Sequence, residues 1–293
     1  MKISIVIPNY NGLALLKKNV PLLLAVLKND GVITEIIIVD DASEDDSVSW
    51  LTTFVSEHKD KQIEFNIIQN EVNKGFSYTV NKGASVAIGE FIVFLNTDVY
   101  PKKGFIEYSI KHFINPHVCA VGFMDESMED GKIVLRGSGI GMWQKGFYLH
   151  KKGEVTTNYT DWVSGGSSIF RKDIFKKLGG FDTVYGPFYW EDIDLSYRAK
   201  KNGYQIVFEP KSVVVHEHEK GAILSKYSKE DVMRISYRNQ FIFVWNNASP
   251  VQLLVHIIWL PYHLMLSVKG DRKLLGGFFQ ALVRFFHFKL LHQ

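Results

Sequence analysis

An aspartate that directly follows a strongly apolar run is the first residue in this sequence that could do chemistry. Residues 91–95 are β-branched, aromatic or aliphatic, which is typical of a strand buried on both faces of a parallel sheet. Asn96, Thr97 and Asp98 follow at once. Ligands of open α/β sheets bind at the carboxyl ends of the strands, so we expect Asp98 at the mouth of a crevice. The alternative is an ordinary turn, because Asn, Thr and Asp all favour turns.

Two earlier strands also end in polar residues. Asn9 and Asn11 follow the first apolar run, and Asp40 and Asp41 follow the second. If these strands are parallel neighbours, their polar ends share one rim with Asp98. The sequence after the first strand matches neither G-x-G-x-x-G nor G-x-x-x-x-G-K-[ST], which disfavours a dinucleotide-binding Rossmann domain and a P-loop ATPase.

Two acids and two histidines in the second half of the chain could also take part in catalysis or metal binding. Glu191 and Asp192 open a predicted helix that Gly203 closes. They either complement the helix dipole, or one of them is a general base held by backbone N–H groups. His216 and His218 follow a later strand on one face, as structural residues or as metal ligands.

The elements that position these residues alternate along the first half of the chain. Apolar runs at 3–8, 35–39, 63–69 and 91–95 are separated by helical patterns, which predicts βαβ units and a mostly parallel sheet in an α/β fold. The later half is less regular. We expect hairpins or long loops between residues 125 and 159 and separate strands at 205–208 and 213–215.

Two local signals refine the helices. Pro21 predicts a kink or restart in the first helix. Ser43 with Asp46 resembles a capping box, which predicts that the second helix opens there and extends to about Glu57.

Composition limits the classes of protein. A chain of 293 residues with 46% hydrophobic and 22% charged residues fits one large α/β domain with an appendage, or two small domains. The net charge of +3 is too small to indicate nucleic-acid binding. Cys119 is the only cysteine, so no intramolecular disulfide or cysteine metal cluster forms. The chain opens without a signal-peptide pattern, and together these features favour a reducing cytoplasm.

Taken together, the motifs resemble the inverting glycosyltransferases of family 2, which have the nucleotide-sugar-binding GT-A fold. Within that family the chain is most similar to the rhamnosyltransferase-like enzymes of bacterial surface-polysaccharide assembly. The matching segments follow the family's order between about residues 3 and 221, and they are residues 6–11, 39–43, 73–76, 81–83, 95–98, 164–166, 179–182 and 190–195, with His216 last. Such an ordered series is far more specific than any single motif.

The resemblance implies a donor-binding role for ten residues. Pro8 and Tyr10 would line the nucleobase and ribose pocket, and Asp41 would accept a hydrogen bond from the imide N–H of the base. The other residues assigned to the nucleotide sugar are Asn11, Asn73, Gly75, Phe76, Asn81, Asn96 and Thr97.

The resemblance also implies a metal site and a catalytic base. Asp98 matches the last acid of the family's D-x-D motif, whereas Asn96 replaces the first acid and removes one charge. Asp98 and His216 would hold Mg²⁺ or Mn²⁺, with His218 as the rival ligand to His216. Such an ion neutralises a departing nucleoside diphosphate. Asp192 would be the base and Glu191 would orient the acceptor. One base suffices for a single displacement with inversion.

The family motifs stop short of the C-terminal residues. We therefore predict a GT-A domain over residues 1–226 and a C-terminal helical region over residues 227–293. The helical region either packs on the core or on a second subunit, or anchors the protein near a lipid-linked acceptor. Basic residues among its Phe and Leu side chains favour association with the membrane surface over spanning.

The sequence thus predicts an enzyme that transfers sugar from a nucleotide-diphosphate donor to a saccharide or lipid-linked acceptor. We expect it in bacterial O-antigen or capsule synthesis, in the cytoplasm at the inner face of the membrane, without a nucleic-acid partner; a homo-oligomer is allowed. One rival is a non-catalytic nucleotide- or carbohydrate-binding module on a GT-A fold. Another is a nucleotidyltransferase, which usually has a glycine- and Lys/Arg-rich phosphate loop after its first strand.

Overall fold

The computed structural model describes residues 2–30, 34–58, 63–129, 131–217, 226–270 and 272–291. The strands within these ranges are β1 Ile3–Asn9, β2 Thr34–Asp40, β3 Ile63–Gln69, β4 Phe91–Leu95, β5 Val99–Pro101, β6 Val118–Glu129, β7 Lys132–Arg136, β8 Gly139–Gln144, β9 Phe147–Lys152, β10 Ser167–Arg171 and β11 Gln205–His216. The α-helices are α1 Leu13–Asp30, α2 Ser47–Glu57, α3 Phe76–Val86, α4 Phe105–Ile110, α5 Lys172–Lys177, α6 Glu191–Lys201, α7 Lys229–Asn247, α8 Pro250–Lys269 and α9 Lys273–Leu291.

The central sheet has the strand order β3-β2-β1-β4-β10-β6-β11-β5, with β7 paired to β6. Strands β3, β2, β1 and β4 are mutually parallel, as are β6 and β11. In contrast, β10, β5 and β7 pair antiparallel to their neighbours. Strands β8 and β9 form a separate hairpin in the predicted irregular region. The prediction of an α/β fold with a mostly parallel sheet is confirmed.

Strand β4 lies in the middle of the central sheet and contributes side chains to the apolar layers on both of its faces. All five of its side chains are buried, and they alternate between the two faces. Phe91, Val93 and Leu95 join the apolar layer beneath α1, α2 and α4, while Ile92 and Phe94 join the layer beneath α3, α5 and α6. Both layers exclude water, so no side chain of β4 itself is open to a ligand. The polar residues that directly follow β4 are the first along this part of the chain that a ligand can reach.

The predicted capping box at Ser43 is wrong. Helix α2 begins at Ser47, and its N-cap residue Asp46 makes no side-chain capping bond. The Ser43 hydroxyl instead lies 2.6 Å from Asp40 Oδ1 and accepts from the backbone N–H of Asn11 at 2.8 Å. This serine therefore ties the loop after β1 to the end of β2, which a capping pattern in the sequence does not reveal.

Two other local predictions can be compared with the structure. Helix α1 continues through Pro21 from Leu13 to Asp30, so the proline does not restart the helix, and the alternative of a kink stays a prediction. The two strands expected near residues 205 and 213 form the single strand β11, whose pairing register with β6 shifts between Glu209 and Val213. Pro210 lies in that irregular step, where a residue without an N–H is tolerated.

The C-terminal helices share a third apolar cluster with the sheet domain. It joins Phe241–Val244 of α7 and Ala281 of α9 to Phe147, Tyr185 and Trp190. The division at residue 226 stays a prediction, but α7 is packed against the rest of the chain. Helix α8 is different, because it is long and apolar enough to cross a membrane and only 6% of its most apolar stretch is buried.

The single cysteine lies inside the sheet. Cys119 on β6 is buried in the layer beneath α3, α5 and α6. Burial raises the pKa of its thiol to about 12, so it carries no thiolate at neutral pH.

Candidate active site

A cavity of about 730 Å³ opens at the carboxyl ends of β1, β2 and β4. Its wall contains twelve of the fourteen site residues that the sequence predicted. These are Pro8, Tyr10, Asp41, Asn73, Gly75, Phe76, Asn96, Thr97, Asp98, Glu191, Asp192 and His216. The motifs from both halves of the chain therefore meet in one space.

The other two predicted residues, Asn11 and Asn81, are not among the described residues that line this cavity. The Asn11 side chain accepts from the backbone N–H of Glu44 at 2.7 Å, which links the loops after β1 and β2. Asn81 on α3 pairs with the backbone of Phe181, donating to its carbonyl at 2.7 Å and accepting from its N–H at 3.0 Å. Their roles in donor binding stay predictions. His218 lies outside the described residues.

The Asp41 carboxylate fixes the loop between β3 and α3. It accepts from Asn70 Nδ2 at 2.7 Å and from the backbone N–H groups of Lys74 and Gly75 at 2.9 and 2.8 Å. Gly75 has a φ of +84°, and a Cβ there would lie 3.2 Å from Pro187 Cα. The carboxylate thus shapes the cavity wall, while its expected contact with a nucleobase stays a prediction.

Asn96 lies against a tight turn of the opposite wall. Its backbone N–H donates to the carbonyl of Gly166 at 3.0 Å, and any Cβ at Gly166 would collide with its side-chain amide. Within the described part of the chain, the buried Asn96 Oδ1 has no hydrogen-bond partner. A buried acceptor of this kind is expected to meet a ligand or water.

Asp98, His216 and Asp125 form a line of charged groups. His216 Nε2 lies 3.3 Å from Asp98 Oδ1, and His216 Nδ1 lies 2.6 Å from Asp125 Oδ2. Burial alone would lower the pKa of His216, but the hydrogen bonds to Asp125 and Asp98 outweigh it and raise that pKa to about 9. Asp125 was not predicted from the sequence, although an acid inside the apolar strand β6 is a usable signal.

The side chains of Asp98 and His216 are close enough together to bind the same divalent cation. Adjacent ligands of a hexacoordinate Mg²⁺ or Mn²⁺ lie about 3 Å apart, close to the Asp98–His216 separation. Asp125 would hold the other imidazole nitrogen, and metal binding would release the proton of His216. No group of three or more His, Cys, Asp or Glu side chains surrounds a single point in the described ranges. The protein would thus give two ligands and leave the others to substrate phosphates, as is usual for Mg²⁺.

Glu191 and Asp192 lie at the start of α6, as the sequence predicted. Asp192 accepts from the backbone N–H of Ile193 at 2.8 Å and from that of Gly165 at 3.3 Å. Glu191 is 6% exposed, and its Oε2 atom has no hydrogen-bond partner among the described residues. Both carboxyl groups belong to the cavity wall.

The two carboxyl groups titrate in a shifted range. Burial raises the pKa of Glu191 well above its usual range, and the nearby Asp192 adds to this effect. Burial also raises the pKa of Asp192 to about 6, although the backbone donors of Ile193 and Gly165 oppose it. At neutral pH Asp192 is therefore mostly ionised, while Glu191 holds its proton more tightly than a solvated carboxyl group does. The backbone donors were expected from the sequence to dominate, but burial is the larger influence.

The segment before these acids is held by α7. Tyr189 and Trp190 have φ angles of 69° and 78°, which are unfavourable for residues with a Cβ. Asn239 is fully buried, and its Nδ2 lies 2.6, 2.9 and 2.8 Å from the carbonyls of Tyr185, Phe188 and Tyr189. Arg238 donates to the carbonyl of Gly186. Neither α7 residue was singled out from the sequence.

Aromatic side chains cover the wall beside Glu191 and Asp192. The His150 ring contacts those of Trp162 and Trp190 edge to face, with centroids 5.9 and 5.1 Å apart. All three rings line the cavity. Ligand sites commonly combine such apolar faces with a few placed polar groups.

The first 179 residues of the chain carry the match to a known family. A model of glycosyl transferase family 2 matches residues 4–179, which is more than half of the chain. The chain belongs to this family. The match covers the strand ends that bear Asp41 and Asp98 and stops before α6.

Two relatives of this glycosyltransferase are each 26% identical to it in sequence over the matched residues. The pre-mycofactocin glycosyltransferase of Mycobacterium tuberculosis is 26% identical over 189 residues, covering 62% of this chain and 37% of that protein. The poly-β-1,6-N-acetyl-D-glucosamine synthase of Staphylococcus epidermidis is 26% identical over 185 residues, covering 61% and 42%. The chain thus spans less than half the length of either relative.

A solved structure shows the same architecture for this family 2 member. The crystal structure of GalNAc-T7 with UDP, GalNAc and Mn²⁺ superposes with a TM-score of 0.66 at 17% identity, covering 84% of this chain and 48% of that one. The predicted GT-A fold is therefore confirmed.

Proposed function

We propose that this glycosyltransferase moves a sugar from a nucleotide-diphosphate donor to a hydroxyl group of a saccharide or lipid-linked acceptor, with inversion and with help from a divalent cation. One observation carries the proposal. A single cavity contains predicted donor residues, the Asp98–His216 pair, and two adjacent carboxyl groups, of which Asp192 is held by backbone N–H groups at the start of α6.

The cavity has two ends with different tasks. We call the region of Pro8, Tyr10, Asp41, Asn73 and Phe76 the donor end, because it lies where strand ends of an α/β sheet bind ligands. We call the region of His150, Trp162, Trp190, Glu191 and Asp192 the acceptor end. This assignment follows from the chemistry of the two carboxyl groups.

In the reaction, Asp192 accepts the proton of the acceptor hydroxyl as that oxygen attacks the anomeric carbon. The bond from the anomeric carbon to the diphosphate breaks, and the nucleoside diphosphate departs from the opposite face. Glu191 lies beside Asp192 on the same wall and orients the acceptor sugar through a hydrogen bond. Asp98 and His216 would hold a Mg²⁺ or Mn²⁺ ion, which would supply positive charge to the leaving diphosphate.

The biological setting is part of the same proposal. The resemblance to rhamnosyltransferase-like enzymes and the polysaccharide synthase among the relatives support a role in O-antigen or capsule synthesis. A nucleotide-sugar donor supports a cytoplasmic location at the inner face of the membrane. No nucleic-acid partner is proposed.

Nucleoside-diphosphate release tests the proposal. The full chain is incubated with Mn²⁺ and with UDP-, dTDP- or GDP-sugars, with and without saccharide acceptors, and the anomeric configuration of the product is read by NMR. We expect acceptor-dependent release with one donor class and an inverted product. Donor binding without release under any acceptor would instead identify a non-catalytic binding module, and a retained configuration would contradict the single displacement.

A further inference from the structure

Helix α8 turns two histidines towards the rest of the protein and leaves many of its apolar side chains exposed. His256 is 2% exposed, and its Nδ1 lies 2.8 Å from the carbonyl of Gly146 in the β8–β9 turn. His263 Nε2 lies 2.9 Å from the carbonyl of Lys145 in the same turn. A helix on the surface of a water-soluble protein has the opposite arrangement.

The outer side of α8 is a continuous apolar stripe. Spacings of three, four and seven residues place its members on one helix face. The members are Val251, Leu254, Ile258, Met265 and Val268, which are between 50% and 71% exposed. Isolated exposed apolar residues are ordinary, but a contiguous stripe of this length marks an interaction surface.

Helix α9 extends the same pattern. Phe279, Val283, Phe286 and Leu290 follow one another at helical spacing and are between 57% and 75% exposed. The inner face of α9 packs on α7, and there Arg284 donates to the carbonyl of Val184 at 2.6 Å. Helix α9 thus turns Arg284 and part of its apolar surface inward, and leaves a second apolar face exposed.

The net charge of α8 and α9 indicates whether a second protein copy or a lipid bilayer covers their exposed faces. Residues 250–293 contain five Lys and Arg residues and one acid, Asp271, for a net charge of +4, whereas residues 1–249 carry −1. Like charges would repel if two copies paired through this region. An anionic bilayer offers both an apolar interior and a surface of opposite charge.

Aromatic side chains are also placed for a lipid interface. Trp259 and Tyr262 lie next to each other on α8, with ring centroids 5.4 Å apart, and Lys145 Nζ lies 5.3 Å from the Trp259 ring. Amphipathic rings with nearby cations are typical of the headgroup layer.

We propose that α8 and α9 form a docking surface for an anionic lipid bilayer, in which both helices lie along the interface with their outer apolar faces in the acyl boundary. The docking surface adds to the proposed function the place at which the enzyme would meet a lipid-linked acceptor. Only this link to an acceptor rests on the proposed function. Binding to lipid can be measured without turnover, so failure of one idea is distinguishable from failure of the other.

Vesicle flotation of the full chain tests the proposal. Vesicles of phosphatidylcholine with phosphatidylglycerol are compared with vesicles of phosphatidylcholine alone. The test variant combines Leu254→Gln, Ile258→Gln and Phe286→Gln. The control variant combines Ile114→Gln, Met128→Gln and Ile133→Gln, three residues of the sheet domain that are 61% to 86% exposed. Truncation at residue 226 would be unsuitable, because it would remove the buried residues of α7.

We expect the unmodified chain and the control variant to float with anionic vesicles and to bind neutral vesicles more weakly. The test variant should lose at least about tenfold in partitioning, because polar groups replace three apolar contacts with lipid. Its circular dichroism and its donor binding should match those of the unmodified chain. The proposal is overturned if the unmodified chain stays with the aqueous fraction, or if both variants bind alike. A dimer that the test variant alone dissociates, without vesicle binding, would also overturn it in favour of a second copy.

Discussion

The donor end and the acceptor end of the cavity are built in different ways. At the donor end, polar residues directly follow β1, β2 and β4, so each short motif contains both a strand and the side chain that it positions. At the acceptor end, the segment before Glu191 is held by Asn239, which is 51 residues from its partner Phe188. The first end depends on local sequence, whereas the second depends on a distant helix. Variants at each end should therefore fail in different ways.

The largest effect is expected at Asp192. The Asp192→Asn variant keeps its shape and can still accept from backbone N–H groups, but it cannot take a proton. Turnover should fall about 10²–10⁴-fold, which is roughly 3–5 kcal/mol of barrier. Donor binding, measured by calorimetry, should stay normal because this residue lies at the acceptor end. Near-normal turnover would transfer the role of base to Glu191.

A smaller and different effect is expected at Asp98. The Asp98→Ala variant removes a predicted ligand, and donor affinity should fall about 10–100-fold in the presence of Mn²⁺. Excess EDTA should abolish transfer by the unmodified chain and change donor affinity little in the variant. Full activity in EDTA would show that the contacts of His216 with Asp98 and Asp125 serve a structural purpose only.

Asn239 tests whether α7 belongs to the acceptor end. In Asn239→Ala the carbonyls of Tyr185, Phe188 and Tyr189 lose a buried donor, which should cost about 1–3 kcal/mol of unfolding free energy. Turnover should fall about tenfold while donor affinity stays within a factor of about two, since a displacement near 1 Å is already costly for catalysis. Leu253→Ala, on the outer part of α8, serves as a control. Equal losses of donor affinity and turnover would indicate general destabilisation instead.

The pH profile gives the mildest test. The pKa of Asp192 is raised to about 6, and the base must be deprotonated to act. The ratio kcat/KM should therefore be maximal above about pH 7, fall to half near pH 6, and drop about tenfold for each further unit of acid. The residual activity of Asp192→Asn should lack this inflection. An unchanged inflection in that variant would assign it to another group.

Much of the fold could be predicted from sequence, because its signals are local. The buried run of β4 and the alternation of strands and helices define the sheet without knowledge of distant contacts. Short-range signals were wrong where a side chain served a tertiary contact, as Ser43 does when it ties β1 to β2 instead of capping α2. A serine can bond either to its own helix or to a neighbouring loop, and the pattern alone does not distinguish the two.

The convergence of the candidate site residues in one cavity could also be predicted in part. Residues that follow strands were found because parallel strand ends converge. Asp125 was missed because its neighbour His216 lies 91 residues away, on a strand that joins β6 only through the sheet. Arg238 and Asn239 were missed because polar residues in a helix usually face solvent, and only packing reveals that both are buried.

The buried thiol of Cys119 makes the chain suited to site-directed labelling. A fully protonated, enclosed sulfur reacts slowly with maleimides, so the native sequence supplies a nearly silent background. A cysteine introduced at an exposed position such as Val251 or Val283 would then be the dominant reactive site. An environment-sensitive dye or a spin label attached there would report immersion depth at each helix separately, without replacement of any native residue inside the sheet.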